Sequence, residues 1–492
     1  MNIWGINAMN HDASISVVDS DTGSILFAGH AERYSRIKND PNLNEGLIAD
    51  ACQVGKPDII VWYENPYGRK IRNLLSGDFE SFFTWESPQK YLKAYGIDAP
   101  VKYSNHHASH AAGGFYTSGF NDAAILVVDA IGEMSTASIW HARGEKLTKK
   151  WSLNYPHSVG LFYSAITDLV GLKPNEEEYI LMGMAAYSKH NYILTDYVLN
   201  TFFKDDLCLK QRFNFHRGVR GDSFLQYVAS TEQGKYDLAG MAQEIVEMCV
   251  QRLVDMTEDF VDSENLVYSG GVALNCVANE KIQHNYKNVW ILPNPGDAGN
   301  SLGAIANYLR KPLKWNGPFL GYEIKKALDV DAIVEELLTT GICGVAHGRA
   351  EFGPRAFGNR SLLADPRRPD IKDKVNSIKR RQKFRPFAPA VLSRFANEYF
   401  YLDDTSKDAK YMQYAVPVIV DNLPAITHAD GTARVQVVSD EATTLNQILE
   451  AWYVKTGCPV LLNTSLNIKG EPLVNTWEDA VRWQNCYNVK VF

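Results

Sequence analysis

The stretch Leu266-Val267-Tyr268-Ser269-Gly270-Gly271-Val272-Ala273-Leu274-Asn275 sets the fold class of this chain. Leu266 to Tyr268 is a short apolar run of strand length, closed by Ser269 and two glycines. A helix is expected beyond the glycines, running through Leu274 and Asn275. Upstream, residues 239–262 carry Ala242, Ile245, Cys249, Leu253, Met256 and Phe260 at spacings of three or four. That period puts them on one face of an amphipathic helix. Helix, strand, Gly-Gly, helix is an α/β crossover. Its turn suits a phosphate or a nucleoside, because glycine lets backbone N–H groups approach an anion and a helix N-terminus adds positive partial charge.

Toward the N-terminus the pattern is rich in strands. Asn2 to Ile6, Ala13 to Val18 and Ser24 to Ala28 read as three pairing strands, with a polar loop at Asn7–Asp12 and turn signals at Asp19–Gly23. Ala123 to Val128 is a buried strand ending in Asp129. Toward the C-terminus, residues 307–325 hold two prolines and two glycines with little periodicity, and mark a domain boundary. The expected division is residues 1–315 and residues 316–492. Beyond it the charge changes: between Arg349 and Arg385 stand twelve Lys or Arg against four Asp or Glu. No internal repeat is legible.

A chain of 492 residues implies two or three cores. Its net charge of −7 argues against a protein that coats nucleic acid, although a local basic face fits inside that total. No basic-then-apolar leader and no membrane-length apolar run is present, so no membrane partner is expected. The seven cysteines are scattered and form no C-x-x-C pair, which fits reduced thiols in a cytoplasmic protein. A protein of this composition often forms a homodimer.

Five constellations carry chemistry. His106 and His110 stand four apart, on one face if the segment is helical, and two imidazoles so placed grip one metal ion. Asp129 and Asp297 are candidate carboxylate partners. Such a set suits Fe²⁺, Mn²⁺ or Zn²⁺ better than Mg²⁺; the alternative is a helix start whose histidines pack or face water. His11, beside Asp12, has an imidazole whose ordinary pKa of roughly 6.5 suits a general base, or the pair is a plain turn. Gly270, Gly271 and Asn275 form the anion-accepting turn. The basic stretch around Arg349, Arg355, Lys379 and Arg385, broken by glycines and prolines, reads as a shaped phosphate site. Two alternatives are solvated surface charge and a nucleic-acid groove with Phe352, Phe357, Phe384 and Phe387 as stacking platforms. Asn463 and Ser465, after the apolar strand Pro459 to Leu462, make a polar wall for a small ligand, or an ordinary turn.

Taken in order, these motifs resemble the NodU/CmcH family of O-carbamoyltransferases. The resemblance runs from Gly5-Ile6-Asn7 to Gly470-Glu471-Pro472. It rests on His11-Asp12-Ala13-Ser14, the H-x-x-x-H-A run at 106–111, Met182-Gly183-Met184-Ala185 and Gly270 through Ala278. Glu351-Phe352-Gly353-Pro354-Arg355-Ala356 and Phe384-Arg385-Pro386-Phe387-Ala388-Pro389 complete it. It implies an α/β protein: an actin-like ATPase-type (ASKHA) N-terminal domain followed by a smaller YrdC-like α/β domain. The second would form carbamoyl adenylate from carbamoyl phosphate and ATP, the latter with Mg²⁺. The first would pass the carbamoyl group to an acceptor hydroxyl on a sugar, nucleoside or natural product.

By the same resemblance His106, His110, Asp129 and Asp297 match the family's metal ligands, with Fe²⁺ foremost, and His11, with Asp12, the acceptor-activating position. Gly183, Gly270, Gly271 and Asn275 match nucleotide-binding positions. Arg349, Arg355, Lys379, Arg385, Asn463 and Ser465 fall in the phosphate-binding motifs. Three features depart from the family: Ala130, not Gly, follows Asp129; Ala186 precedes Tyr187 where Pro is usual; and the chain is short. Rival readings are a carbamoyltransferase acting on a hydroxymethylated DNA base, a threonylcarbamoyl-type tRNA modification enzyme, a non-catalytic nucleotide sensor, and a sugar-kinase-like phosphotransferase.

Overall fold

The structure is a computed structural model and describes residues 1–76, 86–189, 192–205, 207–210, 214–282, 285–403 and 409–492. The chain divides into two compact units. The first comprises Met1–Ala31 and Asn39–Asn316; the second comprises Glu32–Lys38 and Gly317–Phe492. The sequence reading put the break between 315 and 316 and gave no sign that residues 32–38 join the second unit.

In the first unit, β1 (Asn2–Asn7) and β2 (Ser14–Asp19) pair antiparallel, as do β2 and β3 (Ser24–His30). On its other side β1 pairs parallel with β4 (Ile59–Trp62), which pairs parallel with β5 (Val101–Tyr103). The sheet order is β3-β2-β1-β4-β5. Between its terminal asparagines the central strand is apolar: Ile3, Trp4 and Ile6 are fully buried, as expected of a strand covered on both faces.

The second sheet repeats this wiring. β6 (Asp122–Gly132), β7 (Ser135–Arg143) and β8 (Lys146–Asn154) run antiparallel in turn, and β6 pairs parallel with β9 (Asn265–Ser269), which pairs parallel with β10 (Asn288–Trp290). The order is β10-β9-β6-β7-β8. The expectation of no internal repeat is therefore corrected: the repeat lies in topology, which pattern-free side chains conceal. Two such halves in one unit make the actin-like ATPase architecture that the motifs implied.

The last helix of each half follows its fifth strand: His106–Ser118 after β5, Asn300–Leu309 after β10. These two equivalent helices pack in near backbone contact. A Cβ on Gly303 would lie 2.2 Å from the Ser109 carbonyl oxygen, and one on Gly113 would lie 3.0 Å from the Gly303 Cα. Glycine at both positions is what permits the approach.

The second unit is built on a five-stranded sheet, ordered β12 (Ile342–Ala346), β14 (Arg360–Ala364), β19 (Val460–Ser465), β15 (Ala388–Leu392), β18 (Gln436–Val438). Two smaller pairs join β11 (Phe319–Ile324) to β13 (Gly348–Glu351) and β16 (Ala415–Pro417) to β17 (Thr432–Arg434). The helices Val330–Thr340 and Thr444–Thr456 bury Ile333, Leu337, Leu449 and Trp452 against Val345, Leu363 and Leu461. Among the described residues no helix is long and apolar enough to cross a membrane, and all seven cysteines are free thiols.

Candidate functional site

The duplicated wiring places equivalent elements of the two halves around one point. The loop after β1 brings His11 and Asp12. The end of β6, where regular pairing with β7 lapses between Val128 and Gly132, brings Asp129; such an irregularity re-aims a side chain. The helix His106–Ser118 brings His106 and His110, and the turn before Asn300–Leu309 brings Asp297.

The Nε2 atoms of His106 and His110 lie 3.2 Å apart. His106 Nε2 is 3.0 Å from Asp129 Oδ2 and 3.3 Å from Asp297 Oδ1. His110 Nε2 is 3.6 Å and 3.2 Å from the same two oxygens. All four residues are buried, and their ligand-type atoms lie within 4.8 Å of one another. His11 stands beside them, Nε2 3.3 Å from Asp297 Oδ2 and Nδ1 3.1 Å from Asp12 Oδ2.

The donor set fits a divalent transition metal. Ligand bonds of roughly 2.0–2.2 Å give polyhedron edges of about 3.0–3.6 Å between neighbouring donors, and the five separations above fall there. His107, between the two, is excluded from the set: its Nδ1 bonds Ser138 Oγ at 2.7 Å, and burial, helped by the neighbouring His106, pushes its pKa down to about 3.

The charges reinforce one another. Burial alone would lower the His106 pKa; the Asp297 charge, followed by the Asp129 hydrogen bond, instead holds it well above the ordinary imidazole range. His110 is raised by hydrogen bonds to Asp129 and Asp297, again against burial. Asp129 and Asp297 are held well below the carboxylate range despite their burial, by the facing imidazoles. His11 is pushed down by burial but carried up to about 9 by the Asp12 hydrogen bond and the Asp297 and Asp129 charges.

Three residues outside the sequence-derived set shape this cluster. A Cβ on Gly132 would lie 2.1 Å from His106 Cδ2, so the glycine missing directly after Asp129 reappears where an imidazole needs the space. Glu133 accepts hydrogen bonds from the backbone of Asn65 at 2.7 Å and of His106 at 3.3 Å, and from the Asn105 side chain, fixing the start of the histidine helix. Asn300 Nδ2 is 2.9 Å from His110 Nε2.

The nucleotide-turn residues fare differently. Gly270 has φ +96°, and a Cβ there would lie 2.1 Å from the Val128 carbonyl oxygen. The Gly271 N–H donates to Asp129 Oδ1 at 3.2 Å, so the turn abuts the cluster. The residues after it form a 3₁₀ turn, Gly271–Leu274, before the helix Cys276–Ile282. Asn275 exchanges two hydrogen bonds with Gln243, 2.9 and 3.2 Å, and Gly183 lies buried inside the helix Glu178–Ala185.

In the second unit much of the basic stretch is held by the protein itself. Arg349, on β13, donates to the carbonyls of Leu320 and Gly321. Arg355 donates to the Tyr411 carbonyl at 3.0 Å. Arg360, fully buried, donates to the carbonyls of Tyr322, His347, Gly348, Asn359 and Asn475. Lys379 is buried against Ser465 and Asn467 oxygens, and burial together with Arg381 and Arg385 drives its pKa well down. Asn463 and Ser465 lie within β19, not after it. Asn463 donates to the Ala356 carbonyl and Gln436; Ser465 donates to Asn467. Arg385 stands at the half-exposed end of the stretch.

The reading of the phenylalanines as stacking platforms is corrected. Phe352, Phe357 and Phe387 are 0%, 2% and 3% exposed, so they pack the core and cannot stack on bases. The loop that carries Phe352 and Phe357 is organised by Glu351, whose Oε1 accepts from the backbone of Phe357, Asn359 and Arg360.

A family model described as Carbamoyltransferase N-terminus matches residues 70–306, and one described as Carbamoyltransferase C-terminus matches residues 334–492. An uncharacterized protein of Synechocystis is 34% identical over 98% of this chain and 93% of its own length. The nodulation protein NolNO of Sinorhizobium fredii is 30% identical over 96% of the chain and 77% of its own length. The 3'-hydroxymethylcephem-O-carbamoyltransferase of Amycolatopsis lactamdurans is 26% identical over 96% and 94%.

Proposed function

The chain belongs to the NodU/CmcH family of carbamoyltransferases, and from that premise we propose that it is an ATP-dependent O-carbamoyltransferase with a small hydroxylated acceptor. The reading assigns activation to the second unit, taken as a YrdC-like domain, and transfer to the first. Water hydrolyses carbamoyl phosphate, releasing inorganic phosphate and leaving carbamate. The carbamate oxygen then attacks the α-phosphorus of ATP, pyrophosphate leaves, and carbamoyl adenylate results.

In transfer, the acceptor oxygen attacks the carbamoyl carbon, its proton passes to His11 Nε2, and AMP leaves. Asp12 orients the His11 ring through Nδ1. Asp297 faces the same ring and stabilises the imidazolium that forms. His106, His110, Asp129 and Asp297 would hold a divalent metal. Such an ion supplies Lewis acidity toward a carbonyl oxygen and offsets the carboxylate charge that keeps His11 protonated. Gly270 and Gly271, whose N–H groups are taken by the Pro295 carbonyl and by Asp129, keep the turn free of side chains on the nucleotide side of this cluster.

The observation that carries the reading is the convergence of His11 with the four-donor cluster at the ends of β1 and β6. A small acceptor is favoured over a DNA base because three of the four phenylalanines proposed as stacking platforms are buried in the core.

The test mixes the protein with ATP, carbamoyl phosphate, Mg²⁺ and Fe²⁺. It follows pyrophosphate and seeks carbamoyl adenylate by mass spectrometry. Pyrophosphate release that requires carbamoyl phosphate is the expected result. No release from folded, metal-loaded protein, with or without a panel of acceptors, would sink the reading.

A further inference from the structure

His11 sits in a loop that its own backbone would not hold in place. Met9 has φ +71° and Asp12 has φ +54°, left-handed conformations that residues other than glycine keep only where the surroundings impose them. Here several elements do so. Asn7 Nδ2 donates to the carbonyls of His11 at 3.3 Å and Asp12 at 2.8 Å. The N–H groups of Met9, Asp12 and Ala13 donate to the carbonyls of Pro41, Asn39 and Asp40. The Met9 carbonyl accepts from Arg69 Nη2 at 3.0 Å, a side chain from the helix Pro66–Ser76.

Arg69 is itself placed from the end of β4. Beyond Trp62 the chain passes through Tyr63 and Glu64, both buried. Asn65 then caps the helix, its Oδ1 accepting from the Tyr67 N–H at 3.0 Å, and Pro66 opens it. One turn on, Arg69 Nη1 donates to Glu64 Oε1 at 3.1 Å. Burial would lower the Arg69 pKa; Tyr63, Glu64 and Asp297 carry it above the ordinary arginine value. Tyr63 faces the other way. Its ring meets that of His106 edge-on, centroids 5.6 Å apart, and its carbonyl accepts from Ser109 Oγ at 2.9 Å. Two adjacent residues therefore touch the histidine helix on one side and, through Arg69, the His11 loop on the other. Arg360, ringed by carbonyls of the second unit, has no such link to a site.

We propose that Arg69, braced on Glu64, is a positioning residue that sets where His11 stands relative to the four-donor cluster. The proposal rests on the reading of His11 as the base that takes the acceptor proton. Arg69 acts through the backbone at Met9. Its Nη1 and Nη2 belong to one planar group, so a single rigid fork fixes the separation of the Glu64 carboxylate and the Met9 carbonyl. A lysine ammonium would keep the charge and lose the fork. The effect on rate is large because a displacement of about 1 Å in a reacting group costs on the order of 10²-fold.

The experiment compares the full chain as wild type, Arg69→Lys, Arg69→Met and the double variant Glu64→Gln/Arg69→Met, which leaves no buried carboxylate stripped of its cation. Hydrogen–deuterium exchange reads the Met9, Asp12 and Ala13 amides, with β9 as an internal control. Quenched flow reads pyrophosphate and AMP from ATP and carbamoyl phosphate, with glycerol as the probe hydroxyl. Expected in Arg69→Met and in the double variant is at least tenfold faster exchange in the loop and none in β9. The first-turnover burst of pyrophosphate should be unchanged. Steady AMP release should fall at least tenfold in kcat, with the KM values for ATP and carbamoyl phosphate unchanged, and Arg69→Lys should recover part of both losses. Wild-type loop exchange and AMP release in the folded double variant overturn the proposal and leave the proposed activity standing. Faster exchange in β9 as well as the loop, with a lower melting temperature, marks an arginine that merely holds the fold and overturns it too. Wild-type AMP release in His11→Asn sinks the reading of His11 as the base, and the proposal with it.

Discussion

His11 Nε2 stands 3.3 Å from Oδ2 of Asp297, whose other oxygen, Oδ1, faces His106 and His110. One carboxylate thus touches both the metal-type cluster and the residue read as the base.

Replacing His11 by Asn tests that division. His11→Asn removes the proton acceptor and leaves the four-donor cluster and the second unit alone. Carbamoyl transfer should fall by about 10²–10⁴-fold, the usual range for loss of a general base. Pyrophosphate release from ATP and carbamoyl phosphate should persist. Equal loss of both would place His11 in activation.

Metal affinity should rise with pH. The His106 and His110 pKa values are raised by Asp297 and Asp129 against the effect of burial, so without metal both rings hold protons to higher pH than a free imidazole. Binding requires neutral rings and releases those protons. The apparent affinity for Mn²⁺ or Zn²⁺ should climb up to about tenfold per pH unit for each proton displaced. It should level off once pH exceeds the raised values. Titrations from about pH 6 to about pH 8 that show a flat affinity would contradict the ligand set.

Gly132→Ala places a methyl group where His106 Cδ2 lies 2.1 Å away. The ring is buried and cannot swing aside, so the substitution should weaken metal binding by roughly tenfold or more through misplaced ligand geometry. The far-UV circular dichroism should be unchanged, because the clash is local. A variant that binds metal like wild type would show that the ring has room to yield.

Arg360→Met probes the opposite kind of arginine. It strips hydrogen bonds from the carbonyls of Tyr322, His347, Gly348, Asn359 and Asn475. Destabilisation of at least about 3 kcal/mol is expected, since buried acceptors left unmet cost roughly 1–3 kcal/mol each. Chemical denaturation measures it; a loss under about 1 kcal/mol would mean that water replaces the guanidinium.

The sequence disclosed what is local. His106 and His110 declare themselves by helical spacing, β1 to β3 by apolar runs between turns, and Ser269-Gly270-Gly271 by its place after a buried strand. It concealed what depends on distant partners. Nothing near Asn275 announces Gln243, and nothing in the identity of an arginine tells which guanidinium is ringed by carbonyls, as Arg360 is, and which meets one carbonyl and a neighbouring carboxylate, as Arg33 does. Phe352 and Phe357, set among arginines, looked like part of a base-stacking surface because alternation cannot reveal that Glu351 folds their loop inward. The duplication of sheets escaped because equivalent strands share wiring, not residues: β1 is Asn-Ile-Trp-Gly-Ile-Asn, while β6 opens Asp-Ala-Ala-Ile-Leu-Val.

Residues 32–38 make the second unit a discontinuous segment of the gene. A cut between Asn316 and Gly317 separates most of each unit but leaves the C-terminal fragment without Arg33 and Arg36, whose guanidinium groups bond Gly353, Pro472 and Leu473. The same holds for recombination among relatives: a crossover at that point pairs the C-terminal sheet of one parent with the arginine segment of another. Chimeras in this family should therefore work best when residues 32–38 and the C-terminal portion come from the same parent.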